Sequence, residues 1–416
     1  MMPIIFIIIL VLGAPIAMVI GATTLITFWQ NGIRPEVMAR MMYGAVDSFG
    51  LMAIPFFIFA GDLMVKGGVS RRLVKFANVC VGWVTGGIPV TAVLSCLFFS
   101  ALSGSSPATV AGIGSVMIPN MVENKYPKKF TVGLICAAGS LGIILPPSIT
   151  MMTYGVVSGV SISALFLASV LPGIFIGIVL ILVATIYAKV KNFERMPKPT
   201  IKEVGVAFKD AVWSLLMPLF ILGAIYSGIA TPTEAAALSI IYAMVISLFV
   251  YKEMKLLDLF VVSKKSVVQA SMIMFVISTA QAFSWLLTFE RIPAQLLSAI
   301  SGLTESRFLL LLVLNIFMLL IGTFLNPTAK VLILTPLFLP LVTAVGVSPV
   351  HFGVIMIVNF AIGMLTPPLG LNLFVAMGIG KMSLTEVIKG ALPFVIILIG
   401  ALMVITYVPW LSMILL

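Results

Sequence analysis

Apolar residues fall in long unbroken blocks along this chain, and polar residues are confined to the short stretches between them. A helix needs about 20 mostly apolar residues to cross the hydrocarbon core of a bilayer. Blocks of that kind at Pro3–Trp29, Ser48–Val65, Thr131–Val157, Ala164–Ala188, Ala211–Ile229, Ala236–Val250, Ser266–Thr288, Phe352–Ile379 and Ala391–Ile414 predict nine crossing helices. Two further blocks, Ile88–Val122 and Phe308–Val342, carry a polar, proline-containing tip near the centre. Each of their legs has about 15 residues, roughly 22 Å of helix against a core roughly 30 Å thick. They predict re-entrant hairpins that end at membrane depth. Non-helical backbone persists there only where protein buries it or where it lines a polar cavity, so the tips are candidate functional sites.

Composition agrees with this pattern. The chain is 61% hydrophobic and 9% charged, against roughly 45–50% and 25% in soluble domains, which leaves no segment for a soluble catalytic domain. The opening block is too long for a signal-peptide core and lacks a basic leader, so it is read as the first span. With the N-terminus in the cytoplasm, 19 Lys and Arg residues from Lys66 to Lys389 fall in cytoplasmic loops, and only Arg34, Arg40, Arg291 and Arg307 fall outside. That asymmetry predicts a multi-pass protein of a bacterial inner membrane with a cytoplasmic N-terminus and a periplasmic C-terminus. The net charge of +11 then reflects topology, and no nucleic-acid partner is expected. Lys75 and Lys125 flank the first hairpin, which enters from the cytoplasm. The second has the neutral Thr343–Pro349 stretch on its far side and enters from the periplasm.

The chain repeats itself. Ser106-Pro107 recurs as Asn326-Pro327, Pro146-Pro147 as Pro367-Pro368, Ser103 as Thr323 and Leu171-Pro172 as Leu392-Pro393, in the same order and with opposite loop charges. The predicted fold class is an all-α polytopic membrane protein with an inverted-topology repeat, two re-entrant hairpins and two proline-broken helices, an arrangement used by many secondary transporters. Residues 1–46 form a first scaffold span, 47–188 the first repeat, 189–265 a connecting scaffold with two spans and 266–416 the second repeat. The consecutive prolines remove amide donors and free carbonyl oxygens inside the broken spans. Hydroxyl and amide oxygens at Ser103–Thr109 and Gly322–Thr328 add the neutral ligands that suit sodium.

These residues resemble the large membrane subunit of the tripartite ATP-independent periplasmic (TRAP) transporters. The resemblance runs through Phe56–Gly61, Ser103–Thr109, Leu145–Ser148, Gly228–Ala237 and Leu365–Gly370 and covers the whole chain. It implies an elevator-type, sodium-driven carrier for a small organic acid such as a dicarboxylate, a sugar acid or sialic acid. The implied partners are a small four-helix membrane subunit, expected on a separate chain, and a soluble periplasmic binding protein. Sodium is the coupling ion and no other cofactor is expected. Candidate sodium ligands are Ser103 and Ser106 with backbone oxygens near Gly142 and Leu145 in the first half, and Thr323, Asn326 and Thr366 with backbone near Gly322 and Gly363 in the second. Candidate solute contacts are Ser105, Ser148 and Thr150 from one side and Asn372 from the other, with Lys330 adding charge.

The remaining polar residues have structural readings. Thr231, Thr233 and Glu234 suit a helix N-terminus, and Asp62 and Lys66 are spaced to pair along one helix. Cys80, Cys96 and Cys136 read as free buried thiols, and His351 as a loop histidine. Gly378-Ile-Gly380-Lys381 lacks the spacing of a phosphate-binding loop. No histidine lies in a predicted span to support a hydrolase, and the chain is not expected to be an enzyme. A channel subunit is the alternative to a carrier.

Overall fold

The computed structural model describes residues 2–193, 195–292, 294–295, 306–323 and 325–416. Phe324, in the second predicted tip, lies outside the described residues, as does 296–305 in the second repeat. Among the described residues every regular element is helical, and eight helical stretches are long and apolar enough to cross a bilayer. The chain is a multi-pass membrane protein.

Seven of the nine predicted spans are among these eight, the eighth being Pro327–Ala344 of the second predicted hairpin, and the other two blocks are divided for a local reason. The opening block is two helices, Met2–Val11 and Ile16–Gln30. Gly13 between them takes φ 79°, and Pro15 precedes the second helix and lacks the amide that would continue the first. The block 352–379 is likewise divided, into Pro349–Gly363 and Leu371–Gly380.

Each predicted hairpin block divides into two helices at its polar tip. The first has legs Gly87–Ser103 and Ser106–Glu123, and the second has legs Arg307–Ile321 and Pro327–Ala344. Each is followed by a broken helix: Lys128–Gly139, Leu141–Ile144 and Ile149–Ser158 in the first half, and the two pieces just given in the second. The peptide bonds Pro146-Pro147 and Pro367-Pro368 are both cis. Helix starts at residues 87, 106, 128, 149 and 162 recur at 307, 327, 349, 371 and 384, so the repeat seen in the prolines extends to the starts of these five helices.

The two halves interlock reciprocally. Ile149–Ser158 packs on the return leg of the second hairpin, and Leu371–Gly380 packs on the return leg of the first. Lys128–Gly139 packs along Leu384–Tyr407 of the other repeat, and Pro349–Gly363 packs along Ile162–Val190. Backbone contact at the first of these crossings depends on missing side chains, since a Cβ on Gly133 would fall 2.0 Å from the Gly390 carbonyl oxygen. The most apolar window of Lys128–Ser158 is wholly buried, whereas only 28% of that of Ile201–Tyr226 is. The broken helices therefore form the centre, and the outer helices present apolar side chains to lipid.

Around this centre, Ala53–Lys66 packs on Pro232–Val245 and Leu256–Phe289. Two amphipathic helices, Pro35–Val46 and Val69–Val81, were not among the predicted elements because they are short and only one face is apolar. Val69–Val81 buries Val69, Leu73 and Ala77, while Arg72 on its polar side pairs with Asp210 at 3.1 Å and Glu253 at 3.2 Å.

Several side-chain expectations change. Asp62 does not pair with Lys66; it accepts from Lys265 Nζ and Ser266 Oγ, both at 2.7 Å, and Lys66 pairs with Asp258 at 3.5 Å. Tertiary neighbours on Leu256–Phe289 outcompete the pairing along one helix. His351 is buried in the first turn of Pro349–Gly363, with Nε2 3.2 Å from the Thr406 carbonyl. Cys80 is exposed, whereas Cys96 and Cys136 are buried. The helix cap at Thr231 forms as expected: Thr231 Oγ1 accepts from Glu234 N, and the Glu234 carboxylate accepts from Thr231 N.

Candidate functional site

The first tip is a compact ring of oxygens. Gly104 takes φ 58° and turns the chain between the two legs. Ser103 Oγ lies 2.9 Å from Thr109 Oγ1, and both hydroxyls reach the Ser105 carbonyl, at 3.3 and 3.0 Å. Gly142 of the broken helix sits directly against this ring, because a Cβ there would fall 2.5 Å from Ser105 O and 2.7 Å from Thr109 Oγ1. The residue four positions after Gly142, whose amide would close the helical bond to its carbonyl, is Pro146, which has no N–H. Leu145 closes the helical turn through its amide, which donates to Leu141 O at 2.9 Å. Ser103 and Gly142 thus meet in one place, and Leu145 follows one turn after Gly142.

Ser106 and Asn372 are joined to each other. Ser106 Oγ donates to Asn372 Oδ1 at 2.9 Å, and Asn372 Nδ2 donates to Cys136 O at 3.1 Å. Asn372 is fully buried, so its amide ties the halves together and is not presented to a cavity. Ser148 is also enclosed: its hydroxyl donates to Ile143 O at 2.7 Å and accepts from Met151 N at 3.4 Å. It bridges the break and caps the following helix.

At the second tip the carbonyl and amide oxygens already have donors within the protein. Lys330 Nζ donates to Gly322 O at 2.6 Å, Leu369 N to Thr323 O at 3.0 Å and Thr366 N to Gly363 O at 3.2 Å. Asn326 Oδ1 accepts from Ala329 N at 2.8 Å as a helix cap. Thr323 and Thr366 donate their hydroxyls to Leu320 O and Ile362 O, both at 2.9 Å. The backbones of Gly322 and Gly363 touch, since a Cβ on Gly363 would lie 2.5 Å from Gly322 O.

Between the tips lies a cavity of about 250 Å³ lined by Ser105, Thr150 and Gln269 with Asn326 and Thr328 of the second half. A space of about 270 Å³ lined by Asp62, Ser103 and Lys265 shares Ser105, Pro107, Ile149 and Gln269 with it, so the two are neighbours. Ser148, Asn372 and Lys330 line neither of them. Lys330 instead borders a cavity of about 530 Å³ beside Gly13 and Leu369. Gln269 was missed in the sequence, where its only signal is an amide inside an otherwise apolar stretch.

The profile of the family described as "Tripartite ATP-independent periplasmic transporter, DctM component" matches residues 4–411. The chain belongs to this family. Among relatives of this DctM-family chain, the C4-dicarboxylate TRAP transporter large permease protein DctM of Pseudomonas aeruginosa is 44% identical over 94% of this chain and 92% of its own length. The isethionate TRAP transporter permease protein DctMQ of Oleidesulfovibrio alaskensis is 40% identical over 98% of this chain and 65% of its own length. The sialic acid TRAP transporter large permease protein SiaM of Vibrio cholerae is 36% identical, covering 91% and 88%. The crystal structure of the Alcanivorax borkumensis YdaH transporter shares the fold, with a TM-score of 0.62 at 14% identity over 90% of this chain and 86% of that one. The chain is therefore a TRAP transporter large permease.

Proposed function

We propose that this DctM-family permease carries a small organic anion inward across a bacterial inner membrane, driven by sodium, with the solute held between the two hairpin tips. The observation that carries the reading is the cavity shared by Ser105 and Thr150 of one half with Asn326 and Thr328 of the other. Hydroxyl and amide groups from both repeats converge there in a site of the size a small acid needs. Relatives named for C4-dicarboxylates, isethionate and sialic acid support that chemical class, since all are compact polar anions.

Sodium sits at the first tip in this reading. Ser103 contributes a hydroxyl, and Ser106, whose proton is committed to Asn372, contributes lone pairs. Backbone carbonyls near Gly142 and Leu145 complete a neutral oxygen cage. The ion holds the tip against the broken helix, which forms one wall of the solute cavity, and this shared wall couples ion to solute.

The two hairpins and broken helices form the moving core, and the helices around Ala53–Lys66 and Leu256–Phe289 form the scaffold, in an elevator arrangement with inverted repeats. The neighbouring cavity reaches Asp62 and Lys265, which the charge asymmetry assigns to the cytoplasmic side, and we read this conformation as the one that opens inward. The N-terminus is then cytoplasmic and the C-terminus periplasmic. A small membrane subunit on a separate chain and a soluble periplasmic binding protein complete the system. The DctMQ relative, which extends well beyond the region matched here, supports such a companion.

Liposomes carrying the permease with its small subunit and binding protein should take up the binding protein's solute saturably and only with an inward sodium gradient. The permease alone should transport little. Passive, non-saturating flux would mark a channel and end the carrier reading.

A further inference from the structure

Lys330 is fully buried one turn into the return leg of the second hairpin. Its ammonium donates to Gly322 O at 2.6 Å and stands 5.0 Å from the centre of the Phe360 ring, a carbonyl and an aromatic face that both favour a cation. Among the described residues no carboxylate lies within ion-pair distance of it. A lysine at this depth is costly unless the site is built for positive charge.

The carbonyl and amide oxygens expected to hold a second sodium each accept a hydrogen bond within the protein, while the Thr323 and Thr366 hydroxyls donate and keep their lone pairs. Gly322 O receives the ammonium, Thr323 O the Leu369 amide, Gly363 O the Thr366 amide and Asn326 Oδ1 the Ala329 amide. The corresponding element of the first half differs at the decisive position. The repeat that aligns Ser106 with Asn326 aligns Val110 with Lys330; Val110 is apolar and fully buried, and the helical donor position for Gly142 O is Pro146, which has no N–H.

We infer that the Lys330 ammonium is a tethered cation standing where the second half would otherwise bind sodium. This inference rests on the sodium-coupled reading and deepens it. A tethered charge stays with the core in both directions and is never released, so it contributes to holding Gly322 and Gly363 together but nothing to the driving force. Coupling then belongs to the first tip alone, and the second half needs no sodium to close.

Sodium binding to the purified full chain, followed as radioactive sodium retained and as thermal stabilisation against a choline control, tests this without knowledge of the solute. Thr323→Val and Thr366→Val should leave the sodium midpoint unchanged, while Ser103→Ala should raise it about tenfold, the loss of one ligand to a charged group. Lys330→Ala, which removes the ammonium and opens space among the same oxygens, should bind one more sodium per chain than the native protein. A raised midpoint in Thr323→Val or Thr366→Val would overturn the inference, as would Lys330→Ala binding no additional sodium. If Lys330→Ala does not fold, the two threonine variants decide on the native lysine background. Absence of any sodium effect in the native chain, with Ser103→Ala unchanged too, would remove sodium coupling itself and this inference with it. A shift confined to the second-half variants would remove the inference and leave coupling standing.

Discussion

Ser106 Oγ and Asn372 Oδ1 are 2.9 Å apart and 266 residues apart in the chain. The bond fastens the return leg of one hairpin to the second piece of the other repeat's broken helix. Asn372 carries it further, to the Cys136 carbonyl, so one buried amide holds three elements. Removing either partner leaves a buried polar group unmatched, which costs about 1–3 kcal/mol. Ser106→Ala and Asn372→Leu should each lower the thermal stability of the purified chain. Their double variant should show a coupling of about 1 kcal/mol in the cycle, and strictly additive losses would mean that the pair does not bond.

Glycine at the crossing of the repeats is predicted to be irreplaceable where backbones touch and dispensable elsewhere on the same helix. Gly390 would bring a Cβ to 2.3 Å from the Lys129 carbonyl oxygen, whereas nothing lies within 4 Å of the position a Cβ would take on Gly400. Gly390→Ala should lower stability by about 1–3 kcal/mol through overpacking. Gly400→Ala should be neutral. Equal effects from the two would show that the crossing is looser than described.

The two breaks and two tips could be read in the sequence because proline pairs and serine-glycine runs are local signals that stand out inside apolar blocks. Their recurrence in order located the matching elements. What the sequence did not reveal depends on distant partners: the Asn372 amide is consumed by Ser106 and Cys136, and Asp62 turns to Lys265 across 203 residues. Ser148 and Thr150 are two positions apart and equally polar, yet the hydroxyl of one closes a helix break while the other lines the cavity. Only the path of the backbone after Pro147 separates them. The Gly13–Pro15 break was hidden because the apolar run continues on both sides of it.

The cap at Thr231 gives a pH-dependent contribution. Hydrogen bonds from the Thr231 amide and hydroxyl, at 2.8 and 2.7 Å, hold the Glu234 carboxyl below the usual carboxylate range. A depressed folded-state pKa stabilises the fold above the unfolded value and loses that contribution as pH falls through the folded value. Thermal stability should therefore fall on acidification below pH 4.5 more steeply in the native chain than in Glu234→Gln. The comparison isolates this cap from the similar ones at Glu203 and Glu386. Parallel acid profiles would mean that the cap is not formed.

Orientation can be read by labelling. Lys128, Lys381, Gly346 and Ser161 all lie at least partly exposed at helix ends, and Cys80 is the exposed native thiol to be replaced first. In Lys128→Cys and Lys381→Cys the new thiol should react with an impermeant reagent only from the cytoplasm, and in Gly346→Cys and Ser161→Cys only from the periplasm. Reaction of the Gly346→Cys variant from the cytoplasm would remove the opposite orientation of the two hairpins.

Ion and solute sites should separate under mutation even though they share a wall. Ser103 belongs to the oxygen ring against Gly142, and Thr150 and Gln269 line the cavity between the tips. A ligand removed from the ion site weakens sodium directly and the solute only through coupling, typically about 1–3 kcal/mol, and the converse holds by reciprocity. In liposomes with the complete system, Ser103→Ala should raise the sodium concentration for half-maximal uptake about tenfold and raise the solute constant less. Thr150→Val and Gln269→Ala should show the opposite order, with the solute constant moving most. Ser148→Ala should act chiefly on stability, because its hydroxyl bridges Ile143 and Met151 and does not reach the cavity. Stability and membrane insertion must be measured on each variant first, since a misfolded tip would also raise both constants. If well-folded Ser103→Ala and Thr150→Val shifted the two constants by the same factor, ion and solute would share one site, and coupling through the wall between tip and broken helix would be wrong.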